Sequence, residues 1–131
     1  MNKQFTYAPP PFKKMPKKIR KLAVANAIYV PDTDKLGNKI SKKQFHIRIQ
    51  ETENYLLKIF GGFATSVLEH GEFKSIRKKI ICENVVHVMS FSEVKTFLKH
   101  RKSLEKWLLQ KKKEWNQEAL GYEFEGDLYF I

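Results

Sequence analysis

The chain has 131 residues, 25 Lys+Arg against 14 Asp+Glu, and a formal charge of +11. That length fits one domain of about 100–200 residues, and a content of 42% hydrophobic and 13% aromatic residues is too apolar for a disordered chain. A single cysteine excludes an internal disulfide framework and a multi-cysteine zinc site.

Residues 1–22 read as an arm. They carry Pro9, Pro10, Pro11 and Pro16 and seven basic residues, with no acid. Three consecutive prolines favour a polyproline II stretch and forbid regular helix or sheet. The rest, 23–131, reads as one α+β domain.

Leu22 to Val30 is a continuous apolar run closed by Pro31. Its small and β-branched residues suit a central strand buried on both faces. A turn-rich loop follows from Asp32 to Asn38. Ser41-Lys42-Lys43-Gln44 then matches a capping box. Phe45, Ile49, Leu56, Ile59 and Phe60 recur at helical spacing, and Gly61-Gly62 ends the helix, which is predicted over about 41–60.

Phe63–Lys74 and Ile80–Ser90 read as strands joined by a hairpin loop at 75–79. Cys82 lies among apolar residues and reads as a small core residue. His87, five residues on, falls on the opposite face of that strand, so the two are not a nucleophile and its base. Ser90-Phe91-Ser92-Glu93 reads as a second capping box. The helix after it has an apolar stripe of Val94, Phe97, Leu98, Leu104 and Leu108 and a lysine stripe opposite. Asn116 is the expected left-handed C-cap. Ala119–Phe124 and Asp127–Ile131 read as a terminal strand or hairpin, turning at Glu125-Gly126.

The order strand, helix, strand, strand, helix, strand predicts a ferredoxin-like βαββαβ sandwich with strands one and three in the middle. Several blocks also occur in a suggestive order: Ile28-Tyr29-Val30-Pro31, Phe60-Gly61-Gly62-Phe63-Ala64-Thr65, Gly71-Glu72-Phe73, Asn116-Gln117-Glu118-Ala119, and Glu125 to Ile131. Together they resemble a set of small uncharacterised bacterial and mobile-element proteins, expected to be ferredoxin-like. The resemblance covers about residues 28–131, excludes the arm, and departs at Phe73, where a Trp is expected. It implies no activity and no catalytic residue.

Charge gives the leading functional expectation, a non-catalytic module that contacts nucleic-acid backbone without sequence specificity. The contacting residues would be Lys13, Lys14, Lys17, Lys18, Arg20 and Lys21 of the arm, and Lys95, Lys99, Lys102, Lys106 and Lys113 of the second helix. Lysine dominates both sets, whereas bidentate base readout favours arginine. A second expectation is a phage or plasmid accessory protein binding an acidic protein partner. A third is a small-ligand protein or enzyme using the Gly61-Gly62 end, with Thr65, His70, Gln117 and Glu118 converging there. An enzyme is the less favoured of these readings, and no catalytic residue is assigned.

His46 and His100 are expected to be exposed and His87 to be a satisfied core residue. No two histidines share metal-ligand spacing, so no metal or cofactor is expected. The aromatic C-terminus offers a surface for a homodimer or serves as core. No signal peptide or membrane-spanning run is visible, so a cytoplasmic location is expected.

Overall fold

The structure is a computed structural model that describes residues 13–14, 21–74 and 80–131, with the side chains of 68–83 outside the description. The arm residues Lys17, Lys18 and Arg20, the 75–79 loop and the Cys82 and His70 side chains therefore lie outside the described residues. The elements are β1 (Val24–Pro31), α1 (Lys42–Phe60), β2 (Ala64–Lys74), β3 (Ile80–Ser92), α2 (Val94–Glu114), β4 (Gly121–Phe124) and β5 (Asp127–Phe130). The sheet order is β2-β3-β1-β4-β5, and every pairing is antiparallel. Strands β1 and β3 are central, as the topology argument expects. The fold is the ferredoxin-like sandwich, lengthened by β5 at one edge. No helix among the described residues is long and apolar enough to cross a membrane.

Period-2 alternation divides the sheet into two faces. Asn26, Ile28 and Val30 of β1, with Val86 and Val88 of β3 and Tyr122 of β4, face the helices. Leu56 and Ile59 of α1 and Leu104 and Leu108 of α2 complete that core. The helices meet through aromatics. Tyr55 stacks on Trp107 with ring centres 4.6 Å apart, and Trp107 meets Trp115 edge-on at 6.1 Å. Such pairs add about 0.5–1.5 kcal/mol each beyond the area they bury.

The first helix starts as its sequence dictates. The Ser41 hydroxyl accepts from the Gln44 amide, and the Gln44 side chain accepts from the Ser41 amide. Gly61 ends it in the left-handed region, φ 82°, where a side chain would be strained. Ser90–Glu93 is not a capping box. β3 runs on to Ser92, and Ser90 is buried and donates its hydroxyl to the Gly62 carbonyl at 2.6 Å. Glu93 occupies the N-cap position without a side-chain cap bond. Asn116 does take the left-handed conformation, φ 52°.

Both helices bury polar residues that apolar periodicity passes over. On α1 the core-facing row is Arg48, Thr52, Leu56 and Ile59. On α2 it is Leu104, Leu108 and Lys111, while Val94 and Leu98 of the expected stripe are about half exposed. Lys111 binds Glu51 at 3.1 Å and Glu114 at 3.0 Å and lies over the Trp107 ring at 5.5 Å. Burial works against its charge, but Glu114 and Glu51 outweigh it and hold the ammonium above its ordinary pKa.

Arg48 is 7% exposed. One guanidinium nitrogen donates to the carbonyls of Pro31 (2.7 Å) and Thr33 (2.9 Å), and the other to that of Trp115 (3.0 Å). It thus ties α1 to the end of β1 and to the C-terminus of α2, where a cation is favoured by the helix dipole. Replacing Arg48 by Ala removes this donor from the Pro31 carbonyl and one of two donors from those of Thr33 and Trp115. The expected cost is roughly 1–3 kcal/mol, read as a fall in the urea midpoint. Arg48→Lys should recover only part of it, because a single ammonium nitrogen lacks the planar fork whose two nitrogens reach Pro31 and Thr33 on one side and Trp115 on the other.

Candidate functional site

The expected Gly61-Gly62 cluster does not assemble. Gly61 and Gly62 lie at the C-terminal end of α1, next to Ser90 of β3. Gln117 lies at the other end, donating its amide to the Thr33 and Trp115 carbonyls at 2.6 and 2.9 Å. Both carbonyls are shared with Arg48. Gly61 lies thirteen positions beyond Arg48, about 20 Å along the α1 axis. Gln117 is therefore a buried structural residue, and Glu118 follows it, half-buried, at the same end. Thr65 is exposed and donates to Glu53 on α1 at 2.6 Å. A hollow of about 330 Å³ does adjoin Gly61-Gly62, lined by Leu22, Phe60, Phe63, Met89 and Phe91 among others. Its lining includes no charged side chain.

The basic residues also resolve. Lys13, Lys14 and Lys21 are exposed, as are Lys95, Lys99, Lys102, Lys106 and Lys113 along α2. His46 is exposed, whereas His100 is half-buried with its ring edge-on to Phe60 at 6.3 Å.

The polar group that the fold does assemble lies on the sheet face away from the helices. Tyr29 of β1, His87 of β3 and Glu123 of β4 share that parity, since Tyr29 is opposite His87 and Glu123 is opposite Ala27. The Tyr29 hydroxyl donates to Glu123 Oε1 at 2.8 Å. His87 Nε2 lies 3.5 Å from the same oxygen, and the Tyr29 and His87 rings meet edge-on at 5.1 Å. The three residues come from three adjacent strands. His87 is thus partnered as expected, but on the open face and not in the core under the helices.

Gly121 makes the arrangement fit. A Cβ there would stand 3.3 Å from Tyr29 Cβ and 3.4 Å from its Cγ. Without one, the tyrosine ring can lie across β4 and reach Glu123 along the strand diagonal. Ala27, small and opposite Glu123, is 1% exposed beneath the group. Among the described residues no helix covers this face, and the Glu123 side chain keeps 32% of its surface open to solvent. One carboxylate between an aromatic ring and an imidazole suits a small cation, held by charge and by ring faces.

No family model matches the chain, and no curated protein does. Two solved structures do. One is a phage SAM lyase in complex with S-methyl-5′-thioadenosine, with a TM-score of 0.60 at 14% identity, over 82% of this chain and 88% of that one. The other is a phage SAM lyase in the apo state, with a TM-score of 0.51 at 15% identity, over 82% and 87%. At that identity the likeness is one of fold. It nonetheless corrects the leading expectation. The matching structures are of an enzyme, one of them with an adenosine thioether bound, which points away from a non-catalytic nucleic-acid module and toward a small-ligand or enzymatic protein. The lysine stripe of α2 is then read as a solvated helix face.

Sequence reasoning passed over Tyr29 and Glu123. The available signal was Glu123 alternating with Tyr122 and Phe124, an acid isolated on the opposite face of an aromatic strand. The three-strand register that joins it to Tyr29 and His87 was not available from local pattern.

The Tyr29 hydroxyl is held above its ordinary pKa by burial first, then by the hydrogen bond and charge of Glu123. Glu123→Gln should therefore lower the Tyr29 pKa without returning it fully, as read by tyrosinate absorbance against a Tyr29→Phe blank. Because the folded state keeps this proton longer than the unfolded state, its contribution to stability declines as pH rises above about 10. Tyr29→Phe should flatten that decline.

Proposed function

We propose that this protein is a small-molecule lyase that cleaves a carbon–sulfur bond of an adenosyl sulfonium such as S-adenosylmethionine. What supports the reading is the carboxylate of Glu123, framed by Tyr29 and His87 on an open sheet face, in a fold shared with phage SAM lyases. It develops the small-ligand alternative but moves the site from the Gly61-Gly62 end to the sheet face.

The chemistry asked of the site is modest. A sulfonium is already an activated leaving group. Its C–S bond breaks with the electron pair going to sulfur, which leaves a neutral thioether, while an oxygen of the substrate's own carboxylate bonds to the carbon released and closes a lactone, so the two products together contain the atoms of the substrate and no water. Glu123 holds the cationic end of the substrate. Tyr29 fixes the carboxylate through its hydrogen bond, and the rings of Tyr29 and His87 supply an apolar wall against hydrolysis. Preorganised charge of this kind contributes about 10²–10³ in rate when one donor or acceptor is removed.

The test is incubation of the protein with S-adenosylmethionine in ¹⁸O-water, with chromatography and mass analysis of the products. Release of S-methyl-5′-thioadenosine with no ¹⁸O in the other fragment is expected, and Glu123→Gln should slow it by about 100-fold. Absence of turnover and of binding would sink the proposal. Loss of activity in Glu118→Gln with Glu123→Gln unaffected would place the chemistry at the α2–β4 junction instead.

A further inference from the structure

His87 stands beside the carboxylate that the proposed function assigns to a cation. Its Nε2 lies 3.5 Å from Glu123 Oε1, the oxygen that also accepts the Tyr29 hydroxyl at 2.8 Å. A charge-assisted bond between nitrogen and a carboxylate closes to about 2.7–2.9 Å. The pair is therefore near enough to attract but is not closed. The two side chains keep 14% and 32% of their surfaces open to solvent. A proton reaches the imidazole from the same face by which a ligand reaches Glu123.

The surroundings of His87 leave Glu123 as its electrostatic partner. Ser66 of β2 is opposite it on one side and Tyr29 of β1 on the other. Val85 and Met89, two residues away along β3, share its face and are apolar. The Tyr29 hydroxyl is held above its ordinary pKa, so it stays neutral wherever an imidazole titrates. Glu125, two residues beyond Glu123, accepts from the Ala25 amide at 2.7 Å. From β5, Leu128 is opposite Glu123 and Phe130 opposite Gly121, and neither carries charge. Among the described residues, Glu123 is the carboxylate that His87 meets.

Protonation changes what this corner offers. Beside a neutral imidazole, Glu123 presents a net negative charge and the His87 ring is a wall. Beside an imidazolium the carboxylate is already paired, and a second cation meets a like charge across it. We infer that His87 is a proton-operated gate on the Glu123 site, which takes a cationic ligand when the imidazole is neutral and releases it when the imidazole is protonated. The inference rests on the reading of Glu123 as a cation site. Its sign follows from reciprocity: a cation that binds expels a proton from His87, so affinity rises with pH through the imidazole range and then levels off.

Two stable adenosyl probes isolate the effect. Sinefungin carries an ammonium where the substrate carries its sulfonium, and S-adenosylhomocysteine is a neutral thioether with the same adenosine and amino-acid ends. Calorimetry on the full chain at about pH 8 and about pH 5.5 spans the ordinary imidazole range and stays above the ordinary carboxylate range. An alkyl ammonium, which ordinarily titrates near about pH 10, keeps its charge throughout. The ratio of the two affinities therefore reads the cation alone. Sinefungin should be preferred at the higher pH, and the preference should fall about tenfold at the lower, where roughly one ordinary imidazole in ten is neutral. His87→Gln and His87→Phe, the second of which keeps a ring, should each hold the preference constant between the two pH values. A merely structural histidine would change affinity or stability in those variants and leave the pH profile as it was. A wild-type preference that persists unchanged at the lower pH, or a fall that survives in both variants, would overturn the inference and leave the reading of Glu123 standing. Equal affinity for the two probes at the higher pH would overturn that reading and the inference with it.

Discussion

Much of this fold converges on the Arg48 guanidinium. Three chain segments that are distant in sequence end within reach of it: β1 at Pro31 and Thr33, α1 itself, and α2 at Trp115. The first and the last present main-chain carbonyls to it, and α1 carries the guanidinium. A buried carbonyl without a donor costs about 1–3 kcal/mol, so one planar cation with several donors serves the end of β1 and the end of α2 together. Gln117 donates to two of the same carbonyls, which accept twice and are thereby saturated. The Arg48 guanidinium also lies over the Trp115 ring, 5.6 Å from its centre. The seat of α1 on the sheet and the end of α2 are therefore set by the same contact.

That constraint carries through to the site. With the end of β1 fixed by Arg48, Tyr29 is two residues back along the same strand, on the face away from the helices. β4 follows α2 by way of Trp115 and Gln117, so the position of Glu123 also depends on the Arg48 end. The Tyr29–Glu123 bond at 2.8 Å joins two strands whose ends are both anchored there. The polar group on the open face is positioned by backbone that the buried cation holds.

The sequence made the element order, the first capping box, the Gly61 stop and the terminal turn legible, because each is a local pattern with a local cause. Central placement of β1 and β3 also followed, from topology rather than composition. Three features did not. Ser90 carried a capping signal, but the pairing of Ser90 with Asn26 and Ser92 with Val24 extends the strand past it. Arg48, Thr52 and Lys111 broke the apolar stripes, since periodicity scores a buried charge as a surface one and cannot see partners from other elements. Gln117 appeared free to reach Gly61-Gly62, because sequence does not say that α1 puts its length between them. Proximity across strands, which makes Glu123 a neighbour of both Tyr29 and His87, is set by register, and register is a tertiary property.

The charge of +11 gives the chain an apparent reason to repel a cationic substrate. Geometry removes the part that α2 contributes. Lys95, Lys99, Lys102, Lys106 and Lys113 of α2 point to solvent on the helix side of the sheet, and Glu123 points away from the other side. A helix layer about 10 Å thick and the sheet itself lie between them. Solvent-exposed charges are largely screened beyond about 8 Å at physiological ionic strength, so the stripe contributes little at the carboxylate. At contact distance the local anion dominates, reinforced by ring faces that attract cations. The charge of α2 therefore reports on the helix surface, and the field at Glu123 is set by the few groups within one screening length of it.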